Sequence, residues 1–97
     1  MKIRKIEHVT GSPDYEFECP GCGCLHGVWT YDWDGPKWSF NGDVDKPTFK
    51  PSIRVRWTYG VDRIEHVCHA YVREGRIEFL NDCTHSLAGK TIELPDL

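Results

Sequence analysis

Cys19-Pro20-Gly21-Cys22 constrains this chain more than any other stretch. Two cysteines separated by a Pro-Gly turn are the usual half of a tetrahedral zinc site, because the turn aims two thiolates at one ion. Partners lie farther along, in His66-Val67-Cys68-His69 and Asp82-Cys83-Thr84-His85. All five cysteines and four of the five histidines sit in or beside these three clusters. The fold must therefore bring the clusters together. Cys19, Cys22, Cys68 and Cys83 are the expected ligands of one Zn²⁺. The fourth position stays open between Cys83 and His69, His66, His26 or Cys24.

Composition explains why a metal is needed. The chain has 97 residues, of which 39% are hydrophobic, and a mean hydropathy of −0.52. That is one expected domain, residues 1–97, with a thin core. Structural zinc contributes on the order of 10 kcal/mol in small domains, comparable with the whole stability of an ordinary one. Aromatic content of 12%, with four tryptophans, argues for a globular chain rather than a disordered one.

Charge and hydropathy exclude several partners. The net charge is −3, and the nearest thing to a basic run is Lys2-Ile3-Arg4-Lys5. A nucleic-acid footprint is not supported. No apolar stretch has the length of a membrane span, and no signal-peptide hydrophobic region is present. An odd cysteine count and a CxxC turn fit thiolates bound to metal in a reducing cytoplasm better than secreted disulfides. The expected partner is another protein, met through a surface. Oligomeric state leaves no trace in the sequence.

Turn chemistry and alternation predict a mainly β fold, with at most one short helical turn at 84–88 capped by Thr84 and stopped by Gly89. Residues 2–9 are a short mixed piece. Tyr15, Phe17 and Cys19 alternate with acidic residues, as in a strand entering the metal turn. Residues 28–33 and 37–40 read as aromatic strands broken by Asp34-Gly35-Pro36, and Asn41-Gly42-Asp43 as a further turn. In 53–59, Ile53, Val55 and Trp57 face a core while Arg54 and Arg56 face water. The clearest hairpin turns at Glu74-Gly75. Its register pairs Arg73 with Arg76, Val72 with Ile77 and Ala70 with Phe79, then Cys68 with Asn81 and His66 with Cys83. Alternation then separates Cys68 from His69.

His69 and Asp82 share the other face of that hairpin, where an aspartate could orient an imidazole for acid–base chemistry. Ser52, after Pro51, is a candidate nucleophile if the fold brings it near. The residues by themselves favour the plainer reading, a surface histidine, a turn aspartate and a loop serine, because no nucleophile motif is present. A thioredoxin-like redox pair is disfavoured because a strand-like run, not a helix, follows Cys22. The tryptophans read as core, and His8 has no evident partner.

CPGCGC at 19–24, FNGD at 40–43, PTF and PS at 47–52, Cys68-His69, Gly75-Arg76-Ile77, and DCTHSLAGKT at 82–91 follow one another along the chain. In these motifs and their order the chain resembles a family of small phage and prophage zinc-binding proteins, domain of unknown function 6527, often labelled "ammonia monooxygenase". The resemblance covers about residues 17–94. The label implies a copper membrane oxygenase, which needs apolar spans that this chain lacks. Distant relatives accompany bacterial ubiquitin-like conjugation systems and are thought to act there as zinc-containing peptidases. That resemblance implies roles for Ser52 and His69, and it does not extend to Asp82. The main functional expectation is a small cytoplasmic phage-type zinc-binding accessory protein acting through a surface; the alternative is a zinc-containing hydrolase acting on ubiquitin-like tails or conjugates.

Overall fold

The computed structural model describes residues 1–7 and 9–97, with the side chain of Tyr59 set aside. His8 lies outside the described residues. Eight strands are found among those residues, and no helix. They form two antiparallel sheets. The first joins β1 (Ile3–Lys5), β2 (Tyr15–Cys19) and β3 (Cys24–Val28) in that order. The second joins β4 (Ser39–Phe40), β5 (Phe49–Tyr59), β6 (Ile64–Arg73), β7 (Arg76–Phe79) and β8 (Thr91–Glu93). The mainly β expectation holds.

One buried cluster draws on both sheets. Ile3, Phe17, Cys19 and Val28 come from the first, and Phe49, Ile53, Cys68, Ala70, Val72, Ile77 and Phe79 from the second. Alternation selects them. Along β6 the inward residues Cys68, Ala70 and Val72 are buried, while His69 and Tyr71 between them are only half-covered. Along β5, Ile53 is buried and Val55 and Trp57 half-buried, while Arg54 and Arg56 are exposed, as expected. Each fully buried aliphatic or aromatic side chain contributes about 1.5–3 kcal/mol, so a core this small leaves little margin.

The hairpin of β6 and β7 turns at Glu74-Gly75, both at positive φ (50° and 80°), the two-residue geometry that suits the strand twist. Its register is the expected one as far as Ala70 opposite Phe79. Beyond that, Cys68 does not pair with Asn81, nor His66 with Cys83. The Leu80 N–H donates to the His69 carbonyl at 2.9 Å, the chain turns with the Cys83 N–H reaching Leu80 O, and the Thr84 N–H then meets Val67 O at 2.9 Å. Asn81-Asp82 supplies the turn chemistry. Thr84 therefore clamps β6 instead of capping a helix, and 84–88 is a run of bends and turns.

Residues 28–33 are also not a strand. The strand ends at Val28, and the tryptophan-rich segment forms a loop in which Trp29 stacks on Trp33 at 5.1 Å and on Trp38 at 6.4 Å. Ring-on-ring stacking takes the place of cross-strand packing.

Candidate functional site

Strand β5 carries an irregularity where the site is built. Phe49 pairs with Val72, but the next pair is Ile53 with Ala70. Three residues, Lys50, Pro51 and Ser52, thus oppose Tyr71 alone, and the Lys50-Pro51 peptide is cis. Bulges of this kind re-aim side chains. Here the bulge leaves Ser52 beside His69: Ser52 Oγ is 3.0 Å from His69 Nε2. The turn after β7 delivers the third member. His69 Nδ1 lies 3.0 Å from Asp82 Oδ2 and 3.3 Å from Oδ1. Ser52 and His69 are half-buried, and the Asp82 side chain is 48% exposed.

One tautomer satisfies every contact. Nδ1–H donates to the Asp82 carboxylate, which leaves Nε2 free to accept the Ser52 hydroxyl proton. The arrangement can activate a serine for attack on a carbonyl carbon. The backbone of His69 is held as well. Its N–H donates to Cys83 Sγ, and the Cys83 thiol donates to the His69 carbonyl, both at 3.2 Å.

On the opposite face of β6 lies a cluster of soft donors. Atoms of Cys19, Cys22, His26 and Cys68 all lie within 4.8 Å of one another. The turn following β2 closes with the Gly23 N–H on Cys19 O at 2.8 Å, and Gly23 takes φ +69°. Gly23, not Gly21, thus supplies the backbone freedom. Gly21 is needed for space: a Cβ there would lie 2.3 Å from the His85 ring. His26 reaches the cluster because Cys19 pairs with Cys24, which places His26 one alternation inward, opposite Phe17. It is 6% exposed.

Two observations fit this cluster to a metal ion. His26 Nε2 is buried without a hydrogen-bond partner, a costly state unless something binds it. The sulfurs also compete for negative charge. The Cys68 thiol, donating to Cys19 at 3.8 Å, pulls Cys19 down to about 4 against the effect of burial, with help from His26. Burial first, then the Cys19 charge, pushes Cys22 up to about 12. Cys68 is pushed up by the proton it shares with Cys19 and by burial. Thiolates this close repel one another, and a divalent cation would offset that repulsion. A sulfur-rich set with one imidazole is the chemistry of tetrahedral zinc.

The structure brings together Cys19, Cys22 and Cys68 as expected, and sets His26 beside them. Cys83 is placed otherwise. It lies within 4.8 Å of Cys68 and His85, a second group whose His85 Nε2 is likewise without a partner. The turn at 80–83 ends the ladder before Cys83 can face the first cluster, and its thiol serves the His69 backbone. Cys24 is exposed at the end of its strand, and His66 stacks on Trp57 at 5.5 Å. His69 points away from the cluster, as alternation requires.

A family model described as "Bacterial ubiquitination-like system serine protease (BubE)" matches residues 5–80. That span includes Ser52 and His69 and ends two residues before Asp82. No curated protein and no solved structure matches the chain. The match covers most of the sequence, and the chain belongs to this family.

Proposed function

We propose that the chain is a zinc-stapled serine protease of a bacterial ubiquitin-like conjugation system, cleaving ubiquitin-like tails or conjugates. The observation that carries the reading is the unbroken relay from Ser52 Oγ through His69 to Asp82, each link at 3.0 Å. The family's description adds the class of reaction and the kind of system it belongs to.

The steps follow from the geometry. His69 Nε2 takes the Ser52 proton as Oγ bonds to the scissile carbonyl carbon. The developing imidazolium is stabilised by Asp82 through Nδ1–H. His69 then gives that proton to the leaving amine as the C–N bond breaks, and an acyl group remains on Ser52. Water, deprotonated by the same nitrogen, attacks the acyl carbon; the bond from that carbon to Ser52 Oγ then breaks, His69 returns the proton to Oγ, and the carboxylic acid leaves. Cys19, Cys22, His26 and Cys68 would hold Zn²⁺, which when bound supplies structure to a thin core. The relay and the donor cluster face opposite sides of β6, so the proton moves only among Ser52, His69 and the reacting groups, with Asp82 in support.

The test is covalent. A fluorophosphonate probe should label the chain once, at Ser52, with the adduct mapped by peptide mass. Ser52→Ala should abolish both labelling and cleavage of a ubiquitin-like tail fused to a reporter. Labelling that persists in Ser52→Ala, or an unsubstituted chain that neither labels nor cleaves, would return the chain to the accessory-protein reading.

A further inference from the structure

The nucleophile's strand lacks its ordinary support at the bulge. Lys50, Pro51 and Ser52 oppose Tyr71 alone, and Pro51 has no N–H to give. The Ser52 carbonyl has another partner: the indole N–H of Trp38 donates to Ser52 O at 3.2 Å. Trp38 is itself anchored. Its backbone N–H donates to Trp29 O at 2.8 Å, its ring stacks on Trp29, and it packs half-buried against the core. The Trp29 indole N–H in turn donates to Gly11 O at 3.1 Å. Immediately after Trp38, β4 pairs Ser39 with Lys50 and Phe40 with Phe49. The segment 38–40 thus grips the chain on the approach to the nucleophile and at the nucleophile itself.

We infer that Trp38 is a positioning residue, holding the Ser52 backbone so that Oγ stays within hydrogen-bond reach of His69 Nε2. The inference rests on the serine-protease reading. The His69 backbone is held from its own side by Cys83, and the Ser52 carbonyl by Trp38. Misplacing a reacting group by about 1 Å costs on the order of 10²-fold in rate. A hydrogen bond to the serine's own carbonyl acts on that placement without touching substrate.

Fluorophosphonate labelling reads the effect without knowledge of the natural substrate. Trp38→Phe keeps an aromatic ring and removes the donor. Its maximal labelling rate should fall roughly tenfold or more, short of the full cost of such a displacement, with the probe's half-saturating concentration unchanged. Trp33→Phe, which alters the stack but not the contact with Ser52, should label like the unsubstituted chain. If Trp38→Phe folds poorly, benzothienylalanine at position 38 replaces N–H by sulfur in the same shape and should give the same slowing. The His69 imidazole ¹⁵N shifts, read in the unlabelled protein, should show the Nε2 hydrogen bond weakened when the Trp38 donor is lost. Equal labelling rates with and without the donor, or unchanged ¹⁵N shifts, would overturn the inference. An unsubstituted chain that fails to label counts against the protease reading, and the ¹⁵N shifts still decide the role of Trp38.

Discussion

Asp82 is where geometry adds most to the sequence. It lies beyond the matched family span and on an exposed turn, yet its carboxylate sits 3.0 Å from His69 Nδ1. If it sets the tautomer, Asp82→Asn should leave the fold intact and lower the labelling rate by about 10²- to 10⁴-fold, because an amide can present its N–H₂ to Nδ1 and favour the wrong proton placement. Half exposure argues for the lower part of that range, since water can partly replace the carboxylate. Equal rates for Asp82→Asn and the unsubstituted chain would leave a Ser52–His69 dyad. At the same scale, His26 stands beside Cys19, Cys22 and Cys68 where Cys83 was expected. The hairpin register, carried past Phe79, put Cys83 on the face of Cys68 as the fourth donor. The strand pairing of Cys19 with Cys24 instead carries His26 inward. That register could have been drawn from the turn at 20–23, since alternation from Cys24 reaches His26 next.

At the scale of elements, β6 does two jobs on two faces. Cys68 points into the core beside Cys19, and His69 points out toward Ser52 and Asp82. This separation was legible, because alternation needs only the Glu74-Gly75 turn to set its phase. It failed beyond Phe79, where the ladder gives way to the turn holding Asp82, a break that Asn81-Asp82 could have signalled. The bulge at Lys50-Pro51-Ser52 was not legible as such. Proline marks an irregularity, but which residue it re-aims depends on strand β6, about twenty residues away in sequence. The aromatic run at 28–33 misled because high β-propensity reports a residue that packs well, not the partner it packs against. Two substitutions one residue apart test the division of labour. His69→Ala should keep its metal and melting temperature while losing fluorophosphonate labelling. Cys68→Ser should lose metal, and with it stability and labelling together. Metal loss in His69→Ala, measured by elemental analysis, would mean that the two faces are not independent.

For the molecule as a whole, the donor cluster is one of the links between its two sheets. Cys19, Cys22 and His26 belong to the three-stranded sheet and its turn, and Cys68 to the five-stranded one. An ion held there would cross-link residues of both sheets at the buried cluster that both supply. Its removal would leave thiols crowded in the core and an imidazole nitrogen with no partner, each unsatisfied group costing about 1–3 kcal/mol. Against a typical total of about 5–15 kcal/mol, few such losses can be absorbed. Chelation at neutral pH should therefore lower the melting temperature sharply and abolish fluorophosphonate labelling in step, because Cys68 is the immediate neighbour of His69. Restoring Zn²⁺ should recover both. The sign with pH follows from the ligands: protons compete for the sulfurs, so the zinc-bound form loses its advantage as pH falls. A metal-free chain that keeps its melting temperature would remove the staple from this account. One that unfolds partly yet still labels at Ser52 would show that the five-stranded sheet holds the relay by itself.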